Sequence, residues 1–164
     1  MRFMLMPGLQ TAVAVLVFLG GATAFAGQTA TQPAARVMFV CEHGAAKSVI
    51  ATAYFNKLAA ERGLTYRATF RGTSPQADLS VSTLKGLRED GLEIPAGRPA
   101  AISVEDVGAA THIFAIGCTL PAHATASGKA SDWSDVPDDK GYEPMRDAIR
   151  RHVELLLDDL AKPR

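Results

Sequence analysis

The sequence predicts an α/β protein: a three-layer, doubly wound sheet of about four parallel strands with helices on both faces. Three observations carry this reading. A β-branched and aromatic run, Arg36–Val40, stops abruptly at a glycine-containing loop, and a helical apolar period takes over directly afterwards. Two further apolar runs, Thr65–Phe70 and His112–Gly117, each end in turn-forming residues. Between and after them lie segments with apolar residues at helical spacing, and strand–helix alternation is the pattern of a parallel sheet.

In chain order, RVMFV (36–40) reads as a buried strand. From Lys47, the residues Ile50, Ala53, Tyr54 and Leu58 recur on one helical face, and Gly63 stands where that helix stops. Thr65–Phe70 is a second strand, closed by Arg71-Gly72-Thr73-Ser74-Pro75. Ser80 is placed to cap a helix that runs to about Asp90, with Val81, Leu84 and Leu87 on one side and Gly91 as terminator. Glu93–Ala101, with Pro95, Gly97 and Pro99, reads as a loop, and Ser103–Val107 as a short helix. His112–Gly117 is the third strand and runs into Cys118. Thr119–Gly141 reads as a long loop carrying four aspartates. Met145, Ile149, Val153, Leu156 and Leu160 then line one face of a final helix.

Composition narrows the class. The 17 basic side chains are matched by 17 acidic ones, so the basic excess expected of a nucleic-acid binder is missing. Arg2, the apolar run Ala12–Leu19 and the closing Ala24-Phe25-Ala26 together read as a secretory signal peptide over residues 1–26, with an uncleaved anchor as the alternative. Residues 27–35 then form a flexible leader and 36–164 one domain, exported to the periplasm or secreted, with no membrane contact after cleavage. Two cysteines, Cys41 and Cys118, are too few for a disulfide scaffold. His112, His123 and His152 lack metal-ligand spacing to them, so neither a metal nor another cofactor is expected.

The strand-to-helix connection Cys41-Glu42-His43-Gly44-Ala45-Ala46-Lys47-Ser48 is the candidate site. A short loop feeding a helix N-terminus offers backbone N–H groups and a partial positive charge, which makes a nest for an oxyanion over residues 42–47. Gly44, Ala45 and Ala46 allow close backbone approach, and Lys47 adds a full charge. Such a nest favours the thiolate of a cysteine at its mouth, which makes Cys41 the candidate nucleophile. A buried strand-end cysteine without chemistry is the alternative. Ser48 is placed to donate to the sulfur. Arg71, also at a strand end, is a candidate second charge beside the nest, and Trp133 and Tyr142 either border its mouth or pack the long loop.

The segment VMFVCEHGAAKS resembles the signature of the low-molecular-weight protein tyrosine phosphatases and the related thioredoxin-coupled arsenate reductases. RGTSPQADLSVSTLKGLREDGLEI resembles that superfamily's second strand, glycine-threonine turn and second helix; DWSDVPDD and MRDAIRRHVELLLDDL resemble its acidic loop and last helix. The resemblance implies attack by Cys41 on phosphorus or arsenic, an oxyanion held by the loop and Lys47, and thiolate support from Ser48. It implies a general acid in the acidic loop, best matched by Asp138, with Asp135 as the alternative; solvation of a surface loop is the competing role for both. Phosphate or arsenate and a phosphorylated substrate are the expected partners.

The sequence departs from that pattern at Lys47, where the family carries arginine. An ammonium keeps the attraction but lacks the planar fork that grips two oxygens at once. His43 and Gly44 also stand where the phosphatases have glycine and asparagine, and Ala46 where they have a second loop cysteine. Three functions stay open: phosphomonoester hydrolysis through a cysteinyl-phosphate, an arsenate reductase-like redox cycle using Cys41 and Cys118, and non-catalytic binding of an oxyanion or a partner.

Overall fold

Residues 35–138 and 140–163 are described by a computed structural model. The expected signal peptide, and the leader apart from Ala35, lie outside the described residues. The elements are β1 (Arg36–Cys41), α1 (Lys47–Glu61), β2 (Arg67–Gly72), α2 (Val81–Glu89), α3 (Val104–Ala109), β3 (His112–Ala115), α4 (Ala122–Thr125), β4 (Ala130–Asp132) and α5 (Tyr142–Leu160). The strands form one four-stranded parallel sheet in the order β2-β1-β3-β4. This is the expected fold class.

The order explains the burial. β1 lies inside the sheet, and five of its six residues are buried, because both of its faces are covered. Val37, Phe39 and Cys41 join the larger apolar cluster with α1, α2 and α5, through Val49, Phe55, Leu87, Ile149 and Leu157. Met38 and Val40 point the other way, into a smaller cluster with Val107 of α3 and Ala124 of α4. The period-two alternation of one strand thus feeds both layers. β2 is an outer strand, and Asn56 of α1 covers part of its open side: its amide donates to the Ala68 carbonyl at 3.2 Å and its oxygen accepts the Ala68 N–H at 2.8 Å.

The cap read at Ser80 is present, whereas Val81, read on the apolar face of that helix, is exposed. Ser80 caps α2 by accepting the Thr83 N–H, and Ser103 forms a reciprocal capping box with Asp106 at the start of α3. One expectation is corrected: the segment read as a single loop, Thr119–Gly141, contains α4 and β4. Both are too short, at four and three residues, to show a period, and all of β4 is exposed.

Asp90, just past α2, ties three helices together. It accepts the hydroxyl of Tyr54 at 2.8 Å and that of Tyr142 at 2.7 Å, and pairs with Arg146 at 3.1 Å. Burial pushes its carboxyl up, but the bonds from Tyr142 and Tyr54 and the Arg146 charge outweigh that and hold it below the ordinary value. Tyr54 is pushed up to about 12 by burial and by donating to Asp90. A group whose folded value is depressed stabilises the fold above its unfolded value, near 4, and loses that contribution as pH falls through the folded value. Asp90→Asn is therefore expected to cost about 1–3 kcal/mol at neutral pH. The gap between thermal melts of the variant and the wild type should narrow as pH falls below about 4; a gap that stays constant as the solution is acidified would contradict the assignment.

Candidate active site

Cys41 closes β1 and Lys47 opens α1, so residues 42–46 must turn the chain at the carboxyl edge of the sheet. This is the switch point, because β1 is flanked by β2 on one side and β3 on the other. Gly44 makes the turn possible with φ at +62°. It also lies against Gly72 at the end of β2: a Cβ on Gly44 would come within 2.9 Å of the Gly72 nitrogen, and one on Gly72 within 2.8 Å of the Gly44 nitrogen.

The chain after β2 then organises the loop. The N–H groups of Thr73, Ser74, Gln76 and Ser80 donate to the carbonyls of Cys41, Glu42, His43 and Ala45 at 2.8–3.2 Å. These carbonyls are committed to that strap, whereas the N–H groups of residues 43–48 take no carbonyl of the described residues. α1 adds to this, since Ala46 at its N-cap supplies no side-chain bond. The result is a run of unpaired donors at a helix start, with carbonyls turned away, which is suited to an anion.

The Cys41 Sγ lies 3.1 Å from Ser48 Oγ, both within the protein interior. Thr52 donates to the Ser48 carbonyl at 2.8 Å, and the partner of the Ser48 hydroxyl is the sulfur. Lys47 is buried up to its amine, which reaches over Gly117 after β3: a Cβ there would stand 2.6 Å from the Lys47 Nζ. At its end the amine meets Asp138 Oδ1 at 2.5 Å, across a boundary where the lysine side chain is 9% exposed and the aspartate 73%. Cys41, Glu42, His43, Ala45, Ala46, Lys47 and Asp138 line one pocket of about 410 Å³, joined by Gln76, Ser80, Gly117 and Met145.

The site residues read from the sequence thus meet in one place, including Asp138 from the far end of the chain. Asp135 does not join them: it accepts from His152 of α5 at 2.8 Å. Arg71 does not either. Its guanidinium grips Asp106 with two bonds, at 2.8 and 2.7 Å, on the side of the sheet that faces α3. Trp133 and Tyr142 are also removed from the mouth. Trp133 is buried among Phe39 and Phe114 and stacks on His152, and Tyr142 is held by Asp90. Three contributors escaped sequence reading: Gly72, Gly117 and the Thr73–Ser80 strap. The Gly-Thr turn was visible, but its partner was not.

Cys118 packs with the opposite cluster from Cys41, so the two thiols leave the sheet edge on different faces. Both are free. Burial, and then the nearby Cys41, push the Cys118 thiol up to about 11, and it donates weakly to the Val40 carbonyl. Among the described residues no group of three or more His, Cys, Asp or Glu side chains is placed to hold a metal ion.

A parallel sheet whose first strand delivers a cysteine into a loop of free N–H groups, with serine behind the sulfur and a carboxylate opposite, defines a class of cysteine-centred sites suited to an anion. The model of the low molecular weight phosphotyrosine protein phosphatases matches residues 36–124, more than half of the chain, and the chain belongs to that family. Solved structures agree on the fold. YfkJ from Bacillus subtilis shares 22% identity, with 77% of this chain and 94% of that one covered and a TM-score of 0.66. A low molecular weight protein tyrosine phosphatase from T. tengcongensis shares 20% identity over 76% and 99%, at a TM-score of 0.65. A thioredoxin-dependent arsenate reductase from Corynebacterium glutamicum shares 21% identity over 79% and 63%, at a TM-score of 0.64.

Proposed function

We propose that the protein is an exported phosphomonoester hydrolase that works through a cysteinyl-phosphate on Cys41. The observation that carries this reading is a single pocket that holds the thiol, the unpaired loop donors, Lys47 and Asp138. In the first step the Cys41 sulfur attacks phosphorus in line with the ester oxygen. The P–O bond breaks, and the leaving oxygen takes a proton from Asp138. In the second step Asp138 takes a proton from water as the water oxygen attacks phosphorus. The P–S bond breaks, releasing phosphate and the thiolate, which Ser48 steadies by a hydrogen bond. The loop donors and Lys47 hold the equatorial oxygens throughout.

The Cys118 thiol, pushed up to about 11, is a poor thiolate at neutral pH, which supports hydrolysis over a disulfide relay. Lysine in place of the family's arginine implies a slow enzyme, because one aimed donor is worth about 10²–10³ in rate. The test is steady-state hydrolysis of an aryl phosphate by the reduced protein. Lys47→Arg is expected to raise kcat by about tenfold or more, as the fork replaces the point charge. Phosphate binding without turnover in either form would replace hydrolysis with binding alone.

A further inference from the structure

The charge balance of the pocket speaks to the part of the ligand that is not phosphoryl. Among the described residues Lys47 is the only lysine or arginine in its lining, beside the imidazole of His43, whose Nδ1 lies 3.3 Å from the Ser74 carbonyl, and the Lys47 amine is already matched by Asp138 at 2.5 Å. Glu42 brings a second carboxylate to the same lining. A dianionic phosphoryl group that draws Lys47 to itself leaves Asp138 without its cation, in a pocket that also holds Glu42. Where Asp138 carries the proton for the leaving oxygen, Glu42 remains as an unbalanced charge. Recognition of a neutral ring finds little support: among the described residues no Phe, Tyr or Trp lines the pocket, and Met145 is the one large apolar side chain there. Lys140, two residues beyond Asp138, is exposed and outside the lining.

We propose that the site selects phosphorylated ligands whose other end carries positive charge, that is, zwitterionic phosphorylated amines. Such a ligand restores the balance that its own phosphoryl group disturbs. The phosphoryl oxygens take the loop donors and Lys47, and the ammonium takes the place of Lys47 before the carboxylates. The inference rests on the reading of the Cys41–Ser48 loop as the phosphoryl site. Asp138 is well exposed and Glu42 is on the surface, so the preference is modest and screened by salt.

The test is calorimetric titration of the reduced protein with inorganic phosphate and three benzylphosphonates of similar size, para-substituted with aminomethyl, methyl or carboxymethyl. These do not turn over, so binding is read apart from catalysis. The aminomethyl compound is expected to bind about three- to tenfold more tightly than the methyl one, and the carboxymethyl compound more weakly. The ratio should narrow in about 0.5 M salt and again in Glu42→Gln. Equal or weaker binding of the aminomethyl compound would overturn the inference while leaving the phosphoryl site standing. Failure of phosphate and all three phosphonates to bind would remove both.

Discussion

Gly72→Ala is expected to destabilise the protein by about 3 kcal/mol and to lower its melting temperature by roughly 10 °C. The new methyl would meet the Gly44 nitrogen at 2.8 Å and the Glu42 oxygen and His43 carbonyl carbon at 3.0 Å. All three are backbone atoms, so no side chain can swing aside; either the loop or the end of β2 must move. Movement of β2 is opposed by its ladder with β1, which pairs Cys41 with Gly72 itself, and by the bonds that join Gly72 to Ala100 and Ile102. The loop gives way first, and with it the donors at residues 43–48. Two controls separate this from a general glycine effect. Gly63 has open space around it, and its φ of +67° makes alanine there cost only about 1 kcal/mol. Gly108 lies in α3 with open space, where alanine should be neutral or slightly stabilising. A denaturant titration in which Gly72→Ala matches the Gly63 control would show that the loop tolerates the displacement.

Cys41→Ser is expected to reduce turnover by three orders of magnitude or more while leaving the fold intact. Serine is close in size to cysteine, and the hydroxyl can keep the hydrogen bond to Ser48 that the sulfur makes at 3.1 Å. What it lacks is an accessible anionic form near neutral pH, and so the attack on phosphorus. Phosphate binding should persist, because the loop donors and Lys47 are untouched. Rapid quench of the wild type with an aryl phosphate should trap one phosphate per chain on Cys41, and the serine variant should trap none at that rate. Undiminished hydrolysis in Cys41→Ser would remove the cysteinyl intermediate from the mechanism.

The site was legible in sequence to a limited depth. The Cys41–Ser48 loop announced itself because strand, loop and helix are contiguous and each has a local signature. The preference for Asp138 over Asp135 came from the family resemblance and not from local spacing. The two are close in the chain, yet one bonds to His152 on α5 and the other reaches Lys47 at the far edge of the sheet. Arg71 illustrates the converse. Its position at a strand end suggested the nest, but strand alternation sends it to the opposite face, where Asp106 holds it. β4 stayed hidden because three exposed residues carry no period; its pairing with β3 defines it.

The sequence by itself determined the alternation of strands and helices, the cap at Ser80, and the position of the Cys41–Ser48 loop between a strand and a helix. All of these depend on neighbours within a few residues, where propensity and spacing act directly. The tertiary structure decided which distant groups meet that loop: Gly72 beneath Gly44, the Thr73–Ser80 strap on its carbonyls, Gly117 beside the Lys47 amine, and Asp138 at its end. Those contacts join chain segments far apart in sequence, and only closure of the sheet brings them within bonding distance.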